Sequence, residues 1–144
     1  MKRIVVKIGS NVLTRADGKL DITRMSAIVD QTVWLKSHGY EVILVSSGSM
    51  AAGRDELAVE HKLDSVSQRQ LFSAIGQVKL IGLYYDLFRE YGVHIGQVLT
   101  MKESFSTRGE YLNQRACMNV MIENGVLPII NENDTTSVTE LMFT

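Results

Sequence analysis

The chain has 144 residues, 45% of them hydrophobic and 22% charged, which supplies one buried core and excludes an intrinsically disordered segment. Its formal net charge of −1 gives no electrostatic reason to expect nucleic acid or an anionic membrane as a partner. The single cysteine, Cys117, excludes an internal disulfide and a cysteine-rich metal site and fits a reducing cytoplasm.

In chain order, the opening Met1 to Lys7 is basic but carries only the apolar run Ile4-Val5-Val6. That is too short for a signal peptide, and no stretch approaches membrane-spanning length. Ile4-Val5-Val6, with Ile8 after Lys7, reads as a buried strand ending in a loop at Gly9-Ser10-Asn11. The polar segment Thr14 to Lys19 reads as a hairpin tip or loop. Asp21 is placed to cap a helix running to about His38, with Met25, Ile28, Val29, Thr32 and Leu35 on one face and Gly39 as its stop. Val42-Ile43-Leu44-Val45 is a second apolar strand that runs directly into Ser46-Ser47-Gly48-Ser49. A strand, a helix and a strand in so short a span form a crossover unit with parallel strands.

Residues 65–90 read as one long helix or two consecutive ones, with Leu71, Ile75, Val78, Leu80, Leu83 and Leu87 as the apolar stripe. Val93 to Leu99 is a third strand, and Gly109 to Glu123 a further helix stopped by Asn124-Gly125. Val126 to Ile130 is a fourth strand; its Pro128 belongs at an edge, among the strand's first residues or at a bulge. The alternation predicts a doubly wound α/β fold, a mainly parallel sheet with helices on both faces.

In such sheets ligands sit beyond the carboxyl ends of the strands. Lys7 lies at the end of an apolar strand, where an ammonium without a partner is expensive. It reads equally as the partner of a bound anion or as a structural lysine that pairs with a core carboxylate or reaches water. Gly9 lets backbone approach an anion closely. No GxxxxGK[ST] or GxGxxG pattern is present, so this is neither a P-loop nor a standard dinucleotide site. Ser47-Gly48-Ser49, followed by Met50-Ala51-Ala52-Gly53, reads as a helix start packed close to the sheet, suited to a carboxylate or phosphate; a plain serine cap is the simpler alternative. Asn131-Glu132-Asn133-Asp134 places four polar side chains after an apolar strand. They suit an ammonium group, a Mg²⁺ or Ca²⁺ ion without EF-hand spacing, or a solvated turn. His38, His61 and His94 show no ligand spacing. Cys117, beside Met118 and Met121, reads as core. Arg108, Tyr111, Asn113 and Arg115 face either a substrate or solvent.

Together these tips resemble the amino acid kinase family. The similarity is carried by Val5 to Thr14, Val45 to Gly53, Gln70 to Gln77, Arg108 to Arg115 and Pro128 to Thr135. It is closest to the branch that acts on the side-chain carboxylate of L-glutamate, which the Asn131 to Asp134 loop favours over its relatives. The resemblance implies a three-layer αβα sandwich and ATP-dependent formation of glutamate 5-phosphate, the first step of proline biosynthesis. It implies Mg²⁺ on the ATP, proline as a feedback inhibitor and a homo-oligomer. It also implies residue roles. Lys7 would contact the ATP phosphates and the transferring phosphoryl group, with Gly9 and Ser10 offering backbone around it. Ser47 and Gly48 would hold the substrate. Asp134 would bind its amino group, with Asn131, Glu132 and Asn133 shaping the loop. Ser49 and Met50 stand where the family more usually has Ala and Ile.

The match reaches Phe143-Thr144, where family members continue into a Gly-Asp-Asn-Asp stretch and then an adenine-binding half with a further lysine. Residues 1–144 are therefore expected to be the substrate- and phosphate-binding part of a kinase domain, incomplete toward the C-terminus and unable to turn over ATP alone. Two other readings stand beside this one: another carboxylate or carbamate kinase of the same fold, and a non-catalytic module that binds glutamate or proline.

Overall fold

The computed structural model describes residues 2–59, 61–100 and 108–132. In chain order these form β1 (Arg3–Ile8), α1 (Ser10–Leu13), α2 (Ile22–Ser37), β2 (Glu41–Ser46), α3 (Ser49–Glu56), α4 (Ser65–Arg89), β3 (His94–Thr100), α5 (Arg108–Glu123) and β4 (Val126–Glu132). The strands make one parallel sheet in the order β1-β2-β4-β3.

That order fixes the layers. The steps from β1 to β2 and from β2 to β3 move across the sheet in one direction, and their helices α2 and α4 share one face. The step from β3 to β4 moves back, so a right-handed crossover must place α5 on the other face. It does: a Cβ at Gly96 of β3 would meet Met121 of α5, and Arg3 of β1 donates from Nη1 to Asn119 Oδ1 of α5 at 2.8 Å. The result is the expected three-layer α/β sandwich. The main core lies on the α2/α4 side, where Ile8, Val42, Leu44, Leu127 and Ile129 meet Met25, Val29, Leu80, Tyr84 and Phe88.

Local rules account for most elements. The Asp21 carboxylate accepts from Arg24 N at 3.1 Å and starts α2, as an N-cap does. Gly39 stops it with φ +86°, a conformation costly for other residues. Thr14 to Leu20 closes as a small hairpin through an antiparallel bridge between those two residues. Pro128 comes one residue before the β2 ladder begins at Ile129. Its missing donor therefore falls where β4 is paired with β3 alone.

Four expectations need correction. Gly9-Ser10-Asn11 is not only a loop, because Ser10 opens the one-turn helix α1. Helix α4 is single, and its buried face is Phe72, Ser73, Gly76, Leu80, Tyr84 and Phe88. Of the predicted stripe Leu80 is buried and Leu83 and Leu87 are half-buried against the core, whereas Val78 is 74% exposed. The reason is that α4 meets α3 through small residues rather than through its branched aliphatics. The α3 start, in turn, packs tightly on α4 rather than only on the sheet. A Cβ on Gly53 would come within 2.0 Å of Phe72 O, and one on Gly76 within 1.5 Å of Ser49 O. Finally, Cys117 is exposed, one position out of phase with the half-buried Gln114, Met118, Met121 and Ile122.

Candidate functional site

Because β1 and β4 flank β2, three of the four strand tips meet at the carboxyl edge of the sheet. They line a cavity of about 360 Å³. The β1 tip contributes Ser10, Asn11 and Thr14, the β2 tip contributes Ser46 to Ala51, and β4 contributes Asn131. Arg54 of α3 and Arg69 of α4 complete the lining. Among the described residues the lining combines two arginines with hydroxyls, amides and backbone.

The β2 tip is rigidly built. Ser47 N donates to Ile8 O of β1 at 2.9 Å, tying two tips together. Gly48 caps α3 with φ +111°, and a Cβ there would approach Leu13 Cδ1 to 3.3 Å. Only glycine adopts that backbone and fits against α1 without strain. The serine-cap alternative fails, because the cap residue is Gly48 and no side chain bonds to the first turn. Beneath the loop, Ser46 Oγ donates to Ser47 O at 2.9 Å and lies 2.8 Å from Tyr84 Oη. Burial pushes the Tyr84 phenol up from its ordinary pKa, with the Ser46 bond acting the other way. The phenol therefore stays protonated and serves as a buried donor under the loop.

Removing that donor gives a direct prediction. Tyr84→Phe leaves the Ser46 hydroxyl short of one partner and lowers stability by about 1 kcal/mol. Ser46→Ala does the same, and the double variant costs less than the sum of the two, because both delete one bond. Denaturant unfolding of the three proteins reads this coupling.

Asn131 is 3% exposed, and its Nδ2 donates to Gln97 Oε1 of β3 at 3.3 Å. Among the described residues that bond engages the amide nitrogen and not the amide oxygen. Ser10, Ser47, Gly48 and Asn131 are thus brought together along one cavity.

Lys7 and Gly9 are not. Lys7 is exposed, on the sheet face away from the Ile8 core, and neither residue lines the cavity. The premise of a buried ammonium does not hold, because α5 covers only part of that face. A Cβ at Gly9 would meet nothing within 4 Å, so packing within the protein does not demand glycine there. Glu132 ends β4. Asn133 and Asp134 lie outside the described residues.

The sequence reading missed Asn11, Thr14, Arg54 and Arg69. An arginine on an amphipathic helix ordinarily marks a solvated face. The available signal was Gly53 and Gly76, whose close contacts carry α4 against α3 beside the β2 tip. Arg108, Asn113 and Arg115 are exposed.

The amino acid kinase family model matches residues 2–143. The chain belongs to that family. Curated relatives include the glutamate 5-kinase of Bacteroides thetaiotaomicron, 67% identical over 99% of this chain and 39% of its own length. The glutamate 5-kinase of Chlorobaculum tepidum is 43% identical over 99% of the chain and 40% of its own length. Glutamate 5-kinase 2 of Bacillus subtilis is 46% identical over 99% and 38%. The chain thus spans about two fifths of the length of these amino acid kinases. Among solved structures, an aspartate kinase from Synechocystis aligns at 13% identity with a TM-score of 0.49, over 90% of this chain and 21% of its own. Among the described residues, no helix is long and apolar enough to cross a membrane.

Proposed function

We propose that these residues form the substrate side of a kinase that transfers the γ-phosphoryl group of ATP to the side-chain carboxylate of L-glutamate. The observation that carries this is the arginine-bearing cavity at the joined β1, β2 and β4 tips, in a chain 67% identical to a glutamate 5-kinase.

The chemistry asks mainly for positioning. A carboxylate and a triphosphate repel, so transfer requires that both anions be neutralised and aligned. A carboxylate is already the nucleophile and needs no general base. Its oxygen attacks the γ-phosphorus, the bond to the β,γ-bridging oxygen breaks, and ADP leaves. In this reading Ser47, Gly48 and Asn131 present hydrogen-bonding groups to the amino acid, and Ser10 offers backbone around the transferring phosphoryl group. Lys7 and Gly9, at the open side of the β1 tip, meet the phosphates, where Lys7 steadies charge on the transferring group. Glu132, Asn133 and Asp134 continue the β4 tip, with Asp134 as the partner of the substrate ammonium. The reading brings Mg²⁺ in on the nucleotide, where it would offset phosphate charge. Proline, a cyclic amino acid with the same ammonium and carboxylate, would compete for the cavity. Cytoplasmic location and homo-oligomeric assembly belong to the same proposal.

The test uses the whole natural gene product that carries this sequence. Incubated with Mg-ATP, L-glutamate and hydroxylamine, it is expected to release ADP and yield the γ-glutamyl hydroxamate, because hydroxylamine traps acyl phosphates. Aspartate, N-acetylglutamate and carbamate should give little product. A preference for one of these would move the assignment to another carboxylate or carbamate kinase. Glutamate binding without ADP release would make the protein an amino-acid-binding module.

A further inference from the structure

The two arginines of the cavity have no role in the reading so far. Arg54 and Arg69 come from different helices, brought together by the close α3–α4 contact. Among the described residues neither forms an ion pair. Arg54 is aimed by packing, its guanidinium carbon 5.8 Å from the centre of the Phe72 ring, and Phe72 lies one turn of α4 beyond Arg69. Long side chains on a helix lean toward its N-terminus, which turns Arg54 back toward the Gly48 tip. Among the described residues, the cavity they share with Ser47 and Asn131 is lined by no acid.

We infer that Arg54 and Arg69 form a fork that binds the non-reacting α-carboxylate of the amino-acid substrate and thereby selects for it. This rests on the kinase reading above. Guanidinium groups match carboxylates in planar, two-point geometry. The nucleotide phosphates are the other anion available, but of the residues assigned to them Lys7 and Gly9 lie outside the cavity lining and only Ser10, at its β1 border, reaches it. The arginines, on the α3–α4 side of the cavity, therefore face the amino acid. One carboxylate is directed to the phosphoryl group, and the other needs a countercharge, which Arg54 and Arg69 supply among the described lining residues.

The experiment compares L-glutamate with L-isoglutamine, which keeps the reacting carboxylate and the ammonium but carries an amide in place of the α-carboxylate. It uses the whole natural gene product. The unaltered protein should prefer L-glutamate strongly. Arg54→Gln and Arg69→Gln should each raise KM for L-glutamate about 10–100-fold, the size of a lost charged hydrogen bond. KM for ATP and the weak use of L-isoglutamine should change little, so the preference collapses by the same factor. Arg69→Lys keeps the charge and should retain part of the preference, which a folding defect would not reproduce. Variants that weaken both amino acids equally, or that raise KM for ATP instead, overturn this assignment while the kinase reading stands. An unaltered protein that phosphorylates neither compound overturns both.

Discussion

Gly76→Ala is expected to lower the thermal midpoint by about 10 °C and to disable the cavity with it. The added methyl would sit 1.5 Å from Ser49 O, 2.5 Å from Ser49 C and 2.7 Å from Gly53 N, all backbone atoms. No rotamer change relieves such a clash, so α3 must move away from α4. Overpacking costs about 1–3 kcal/mol and more where backbone must shift. A cost of about 3 kcal/mol is a large fraction of the 5–15 kcal/mol typical of a domain and corresponds to roughly that shift in midpoint. The displaced atoms open α3 immediately after Ser47 and Gly48, so the substrate loop moves with them. Gly82→Ala is the control on the same helix. A Cβ there meets nothing within 4 Å, and the substitution should stabilise by about 0.5–1 kcal/mol through helix propensity alone. Two identical substitutions six residues apart should thus act with opposite sign, read by calorimetry or circular dichroism. Equal effects would mean that the α3–α4 contact is not as close as described.

Lys7→Met is expected to reduce phosphoryl transfer by about 100- to 1000-fold, the usual loss when a preorganised charge at the reacting group is removed. Folding should hardly change. Lys7 is exposed, and surface substitutions ordinarily stay within about 0.5 kcal/mol. Glutamate binding measured without nucleotide should also persist, since Lys7 is not part of the cavity lining. The combination of intact fold, intact amino-acid binding and lost transfer separates a phosphate-side lysine from a structural one. Loss of binding or of stability together with activity would contradict the role proposed for it.

The strand tips were legible in the sequence because continuous β-branched runs that end abruptly in glycine and hydroxyl residues describe parallel strands and their loops. Asp21 and Gly39 marked the ends of α2 through chemistry that acts within a few residues. The face of α4 was not legible. Its leucines, Ile75 and Val78 offer a plausible apolar stripe, but the buried side is decided by how closely two backbones approach, which hydrophobicity does not encode. Ser73 and Gly76 belong to that contact because they are small. The arginines were missed for the same reason, since Arg69 stands 20 residues after Ser49 in sequence and reaches the cavity only through the α3–α4 packing. The exposure of Lys7 was not legible because an apolar strand reads as covered on both sides, whereas among the described strands β1 lies at the sheet edge and its Val5 is 60% exposed. The resemblance gave Ser47, Gly48 and Asn131 to the substrate and Ser10 to the phosphoryl group, and the strand order β1-β2-β4 gives the physical reason all four line one cavity.

The most direct test of the glutamate site is hydrogen–deuterium exchange of the whole gene product with and without L-glutamate. Protection is predicted in peptides covering residues 9–14 and 46–54 and at Asn131, with little change at the N-terminal ends of the strands. Phosphorylation of glutamate without protection at these tips, or protection concentrated elsewhere, would contradict the assignment of this cavity to the substrate.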